Sequence, residues 1–274
     1  MADSESPGTV PSTEYKIPVC TGGAGGDCTC TYTYTNSTPM PEDVGGIEAG
    51  TTFSSSTLDD ILDALLYPYQ EPAFTTFSNG SATTFEVGDV LSANSTFTWS
   101  TTYSSNVATN SITIRDVTNA VDLVTGSAND GTESTTHGAI TYATQDSHTF
   151  RISAQNTEGT TFTRDLAHYW RWRLYYGEST TTPLVEANIE ALRESMLTSS
   201  FSRTYSFVGG GYKYICYPSS FGTATSFIDT STGLTVPFQT SYLVSVTNTY
   251  GQTTNYRVHR STNILGGSIN IQVS

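Results

Sequence analysis

Apolar and polar positions along the chain change their period several times, and each change marks a different kind of element. Residues 1–43 are rich in Pro, Gly, Ser and Thr and show no period; Gly22-Gly23-Ala24-Gly25-Gly26 resists any regular structure. They are expected to form an extended N-terminal arm that orders by lying on a neighbouring subunit, with Tyr32 and Tyr34, alternating with Thr, as a short strand added to another sheet. Residues 44–71 then read as a turn and a short anchoring helix. Leu58, Ile61, Leu62, Leu65 and Leu66 recur on one helical face behind a capping Thr57, with Asp59 and Asp60 in the first turn and Pro68 as the stop. About three turns of helix are unstable alone, so this stripe is expected to be buried against the β domain or another copy.

From Pro72 to Gly177 the period drops to two. Phe97 and Trp99 share a face, as do Ile112 and Ile114, then Phe150 and Ile152, with turns such as Asn129-Asp130-Gly131 between runs. Several short strands in about 100 residues predict an immunoglobulin-like β-sandwich, here without Cys for an inter-sheet disulfide. Val185, Ile189, Leu192 and Met196, behind Pro183, predict a linker helix within 178–199. Alternation returns over 200–274, at 205–208, 212–217, 242–246, 255–258 and 269–273, and predicts a second, C-terminal β domain. The fold class expected is therefore mainly β, with two short helices and an extended arm.

Composition sharpens this picture. Charged residues are 13% of the chain against the usual quarter, and Thr, Ser, Gly, Asn and 17 Tyr fill the polar positions, as suits half-exposed strands and many turns. A formal net charge of −14 opposes nucleic acid and anionic membrane surfaces. The first residues lack the basic and apolar regions of a secretory signal and no run is long enough to span a bilayer, so synthesis in a cytoplasm without membrane partners is expected.

Candidate chemistry is sparse. Cys20, Cys28 and Cys30 with a distant Cys216 lack the paired spacing of a structural zinc site, and reduced thiols are expected. Asp59, Asp60 and Asp63 read as a solvated, dipole-favoured helix start. Gly209-Gly210-Gly211-Tyr212-Lys213 lacks the Lys-Ser/Thr pair of a phosphate loop and reads as a bulge or tight turn. His137, His148, His168 and His259 form no metal pair and adjoin no nucleophile elbow; His168 reads as a strand end. Within Tyr169–Tyr176, Trp170 and Tyr176 are candidates for stacking on a ligand, although so regular an alternation favours a Trp row facing the core and an Arg row facing water. Nothing favours a paired-carboxylate hydrolase. No catalytic residue, metal or cofactor is expected.

Val44-Gly45-Gly46-Ile47-Glu48-Ala49-Gly50-Thr51-Thr52-Phe53 leading into Leu58–Pro72, then Tyr169–Gly177, then Gly209–Tyr214 through Ile264–Gly267, are similar to stretches of structural proteins in the virions of tailed bacteriophages. The turn Gly-Gly-Ile-x-x-Gly-Thr-Thr-Phe, a short helix ending in Leu-Leu-Tyr-Pro-Tyr, and Ig-like β segments recur there. The resemblance covers most of residues 44–274 and carries no catalytic residues. It implies a non-enzymatic virion component of the fibre, head-decoration or neck and tail accessory type. It also implies assembly with copies of itself, a trimer in the case of a fibre, and with other virion proteins. Tyr32, Tyr34 and the stripe from Leu58 to Leu66 are the interface candidates. The rival readings are a host-glycan-binding adhesin using Trp170 or Tyr176, and an envelope polysaccharide hydrolase.

Overall fold

The computed structural model describes residues 33–36, 39, 47, 49–50, 52–66, 69–127 and 131–274, with the backbone alone at 33–36, 53–60 and 64. The rest of the expected arm, with Cys20, Cys28, Cys30 and Tyr32, lies outside the described residues, as do Asn129 and Asp130. Contacts divide the chain into two units between Glu71 and Pro72.

In the first unit, β1 (Thr33–Asn36) pairs antiparallel with β2 (Phe53–Thr57), which runs into α1 (Leu58–Leu66). Tyr34 thus lies in a strand, but the partner is this chain's own β2, with Tyr34 opposite Ser56. The expected burial of the α1 stripe within the chain is not complete. Leu62 is 41% and Leu66 66% exposed, with Ile61 and Leu65 half-buried.

The second unit starts with β3 (Phe74–Ser78), β4 (Thr84–Glu86), β5 (Ser95–Thr101), β6 (Ile112–Asp116), β7 (Val121–Ser127), β8 (Gly131–Thr135), β9 (Asp146–Gln155) and β10 (Thr161–Ser179). One sheet, β3-β5-β8, packs on β6-β9-β10, with β7 added at the edge beside β6 and β4 pairing in parallel with β10. With β4 left out of the count, the first, second and fifth strands face the third, sixth and seventh, as in immunoglobulin-type sandwiches, but the fourth, β7, lies beside β6 instead of joining the opposite sheet. Alternation explains it: β5 buries Ser95, Phe97 and Trp99, and β9 buries His148, Phe150, Ile152 and Ala154, each with polar residues facing out. Phe97 and Phe150 meet edge to face at 5.1 Å between the two strands that antibody domains join by a disulfide.

Next come α2 (Glu186–Glu190), β11 (Glu194–Thr198), β12 (Arg203–Phe207), β13 (Tyr212–Pro218), β14 (Phe227–Asp229), β15 (Tyr242–Thr247), β16 (Thr253–Arg260) and β17 (Ile269–Val273). The sheet β11-β10-β13-β16-β15 packs on β12-β17-β14 as a second sandwich. Its outer face is covered by α2, where Ile189 and Leu192 pack with Tyr214, Tyr256 and Val258.

The helix expected over residues 183–196 is corrected to a single turn followed by a strand. Val185, 57% exposed, caps α2, and Met196 lies in β11 opposite Leu174. The i, i+4 spacing was real only as far as Ile189. Beyond it, pairing of residues 194–198 with the open edge of β10 overrides helical propensity.

The link between the sandwiches is therefore no helix but β10 itself. Its 19 residues, about 60 Å of extended chain, pair with β9 and β4 in the first sandwich and with β13 and β11 in the second. The strict alternation of the Trp run ends at Leu174, because past it the sheet is covered on both faces and Leu174 and Tyr175 are both buried. At Gly177 a Cβ would stand 2.9 Å from the Arg193 backbone nitrogen, so the fold-back of α2 and β11 onto β10 requires glycine there.

The junction is tied by specific bonds. Arg173 pairs with the nearly buried Glu86 at 2.9 Å, the Asn248 side chain donates to Val87 O at 2.7 Å, and the Tyr256 hydroxyl donates to Arg173 O. Gly88, at φ +90°, lies so near the β15–β16 turn that a Cβ would stand 2.8 Å from that of Tyr250.

Candidate functional site

Trp170 is 0% exposed. Its indole N–H donates to Asp89 O at 2.8 Å, and its ring lies 5.0 Å from Phe85 and 4.9 Å from Tyr142. Tyr176 packs edge-on against Tyr205 and Phe207 in the second core. The stacking role considered for Trp170 is corrected, since its ring is spent on the first core, whereas Tyr176 packs on the second core and stays half-buried. Cys216 is buried as a free thiol, its pKa pushed well up by burial.

The structure gathers what the sequence left scattered. Residues of β9 and β10 pair His148 with His168, so His168 lies inside a strand and not at its end. His137, His148 and His168 all pack around Phe150, at 5.4, 5.0 and 6.0 Å between ring centres, and none is more than 8% exposed. His137 accepts from or donates to Ser95 Oγ at 2.7 Å and donates from Nδ1 to Gly138 O. Tyr142 Oη lies 3.1 Å from His148 Nδ1, and Asp116 Oδ1 lies 2.9 Å from its Nε2, off the hydrogen-bonding direction. His168 donates to Ala82 O at 2.8 Å while its Nε2 is sealed without a partner. Burial, helped by His148 and His137, lowers the pKa of His168. The Tyr-His-Asp order resembles an acid–base relay, but Asp116 and His148 are shut inside the sandwich, where a relay meets no substrate. Among the described residues no group of three His, Cys, Asp or Glu is placed to hold a metal ion, and no helix is long and apolar enough to cross a membrane.

In the second sandwich, Glu178 of β10 lies directly opposite Lys213 of β13. Its Oε1 accepts the N–H groups of Val208 at 2.6 Å and Gly209 at 2.9 Å, closing the Gly-rich turn between β12 and β13, while Arg193 reaches Oε2 at 3.4 Å. Lys213 is 0% exposed; its Nζ donates to Gly209 O and lies 3.8 Å from Glu178. Burial opposes ionisation of Glu178, yet the two N–H groups, Lys213 and Arg193 outweigh it and hold its pKa below the ordinary carboxylate value. Burial likewise pulls Lys213 down against the attraction of Glu178. The turn expected at Gly209–Gly211 is thus a carboxylate-clasped loop.

An open groove of about 430 Å³ runs between segments 223–227 and 235–241, with His259 on its floor. His259 is 3% exposed, lies 2.8 Å from Tyr217 Oη, and has its pKa lowered to about 4 by burial, with Arg257 adding to the effect. No motif announced this site: its two walls lie within residues 223–241, joined by the Val236 N–H to Phe227 O bond, and His259 meets them through the Phe238–Ser261 bridge and the Gln239 N–H to Arg260 O bond.

The depressed histidines set an acid limit. Neutral His259 and His168 stabilise the fold fully above the unfolded value of about 6.5, and the contribution is lost as pH falls from there toward their folded values. For His259, a drop from 6.5 to about 4 corresponds to about 3 kcal/mol. Urea unfolding of the full chain at pH 7, 5.5 and 4.5 should show stability falling across this window, and His259→Phe should flatten the slope. Constant stability from pH 7 to 4.5 would contradict the assignment.

The fold defines a mainly β protein of two sandwiches built on one continuous strand. Comparison with protein-family models, with curated proteins and with solved structures returns no match.

Proposed function

We propose that the chain is a structural and assembly component of a tailed-phage virion. It acts as a homo-oligomer, a trimer if it belongs to a fibre, or as a head-decoration or neck and tail accessory protein. The observation that carries this reading is β10: two sandwiches sharing one strand and a bonded junction make a rigid spacer, useful to a particle and of no evident use to a soluble enzyme. The ionisable clusters support it, since Glu178, Lys213, Glu86, Arg173 and the core histidines are engaged in internal contacts. Leu62 and Leu66, with Ile61 and Leu65 beside them, supply apolar surface for contact with other copies, and Tyr32, Tyr34 and Leu58 remain candidates for the same interface.

Gradient-purified particles should contain peptides of this chain at a fixed ratio to the major capsid protein; their absence from particles overturns the proposal. In isolation the full chain should scatter light as an oligomer. Leu62→Asp should lower that mass without shifting the unfolding of residues 72–274, because Leu62 is 41% exposed and its loss falls on contacts between copies. A monomeric wild type, or an unchanged mass in the variant, would remove α1 from the interface.

A further inference from the structure

Tyr217 Oη accepts the N–H of Ala224 at 2.9 Å and lies 2.8 Å from His259 Nε2. With that N–H arriving at the oxygen, the phenol proton is directed to Nε2, and the neutral imidazole carries its own proton on Nδ1. Nδ1 has no hydrogen bond among the described residues, and the residue, 3% exposed, lines the groove. A buried, uncharged N–H donor therefore faces an open cavity.

Around it the walls are uncharged. Thr235, Thr240 and Ser241 bring hydroxyls, that of Ser241 accepting from Arg257 at 3.1 Å, and Gln239, whose Oε1 accepts from Arg260, has amide N–H groups left to donate. Phe238 stacks on Phe227 with centroids 4.0 Å apart and planes 14° from parallel, and both line the cavity. Hydroxyls, an amide and an imidazole N–H beside a flat apolar ring match the alternating hydroxyl and C–H faces of a pyranose. No Asp or Glu lines the groove, so the carboxylate pair of glycoside hydrolysis is missing and the chemistry is binding without cleavage. Among the described residues no charged side chain lines the groove, and the neighbouring guanidiniums of Arg257 and Arg260 are engaged with Gly222 O, Ser241 and Gln239, so the lining matches an uncharged sugar.

We propose that this groove is a binding site for a neutral oligosaccharide, oriented by His259, Gln239 and Thr235 against the ring of Phe238. The site is independent of any place in a particle, and its test uses the full chain alone. Cellotetraose, maltotetraose, isomaltotetraose and the tetramer of N-acetylglucosamine are titrated calorimetrically, with tetragalacturonate as the anionic comparison. At least one neutral tetramer should bind saturably and tetragalacturonate should not. The double variant Thr235→Val/Gln239→Ala, at exposed positions, should keep the melting temperature and weaken binding by roughly tenfold. No binding by any neutral tetramer, equal binding by the variant, or tighter binding of tetragalacturonate overturns the proposal.

Discussion

Glu178→Ala should destabilise the second sandwich by about 3–5 kcal/mol, far more than a partly exposed surface ion pair would cost. The loss has two sources. The N–H groups of Val208 and Gly209 lose the carboxylate that closes their turn, and the fully buried Lys213 loses its counter-charge while keeping only Gly209 O and the Phe207 ring, 5.7 Å away. Two further readouts separate these sources. Lys213→Met added to Glu178→Ala should recover part of the stability, because the stranded charge is gone while the open turn remains. The single variant should also gain stability as pH rises toward the unfolded lysine value of about 10.4: a lysine pKa depressed in the folded state binds its proton more weakly there than in the unfolded chain. Chemical denaturation showing a loss below about 1 kcal/mol would mean that the clasp is not a structural lock.

Trp170→Ala is expected to cost about 3–5 kcal/mol, the range for emptying a well-packed aromatic site. The indole fills the first core between Phe85 and Tyr142 and bonds Asp89 O in the turn that meets the β15–β16 hairpin, so the damage should reach the junction as well. Guanidinium unfolding of the variant measures it. Native stability in Trp170→Ala, coupled to lost binding of a ligand, would restore the stacking role that its burial denies.

The strands were legible because each has a single face to bury, and α1 because its apolar residues keep a helical period. The alternation in Phe97–Trp99 and Phe150–Ile152, and the Leu and Ile stripe from Leu58 to Leu66, each encode one period over enough residues. Where both faces are covered, as in β10 beyond Leu174, the period disappears, and the spacing of Val185, Ile189, Leu192 and Met196 imitates a helix longer than the one that forms. The histidine cluster and the groove were invisible for another reason. His137, His148 and His168 come together through strand register, and His259 meets segments 223–227 and 235–241 through long-range pairing. The hydroxyl-rich stretch from Thr223 to Ser241 resembles any polar loop until the fold closes it over a buried imidazole.

Because β10 belongs to both sandwiches, a force separating them acts along covalent bonds before it reaches any interface. Stretching this pair should therefore end in the unravelling of a whole sandwich and not in hinge-like parting. Mechanical strength and the order of unfolding are then set by how firmly β9 and β13 hold the two halves of a single strand.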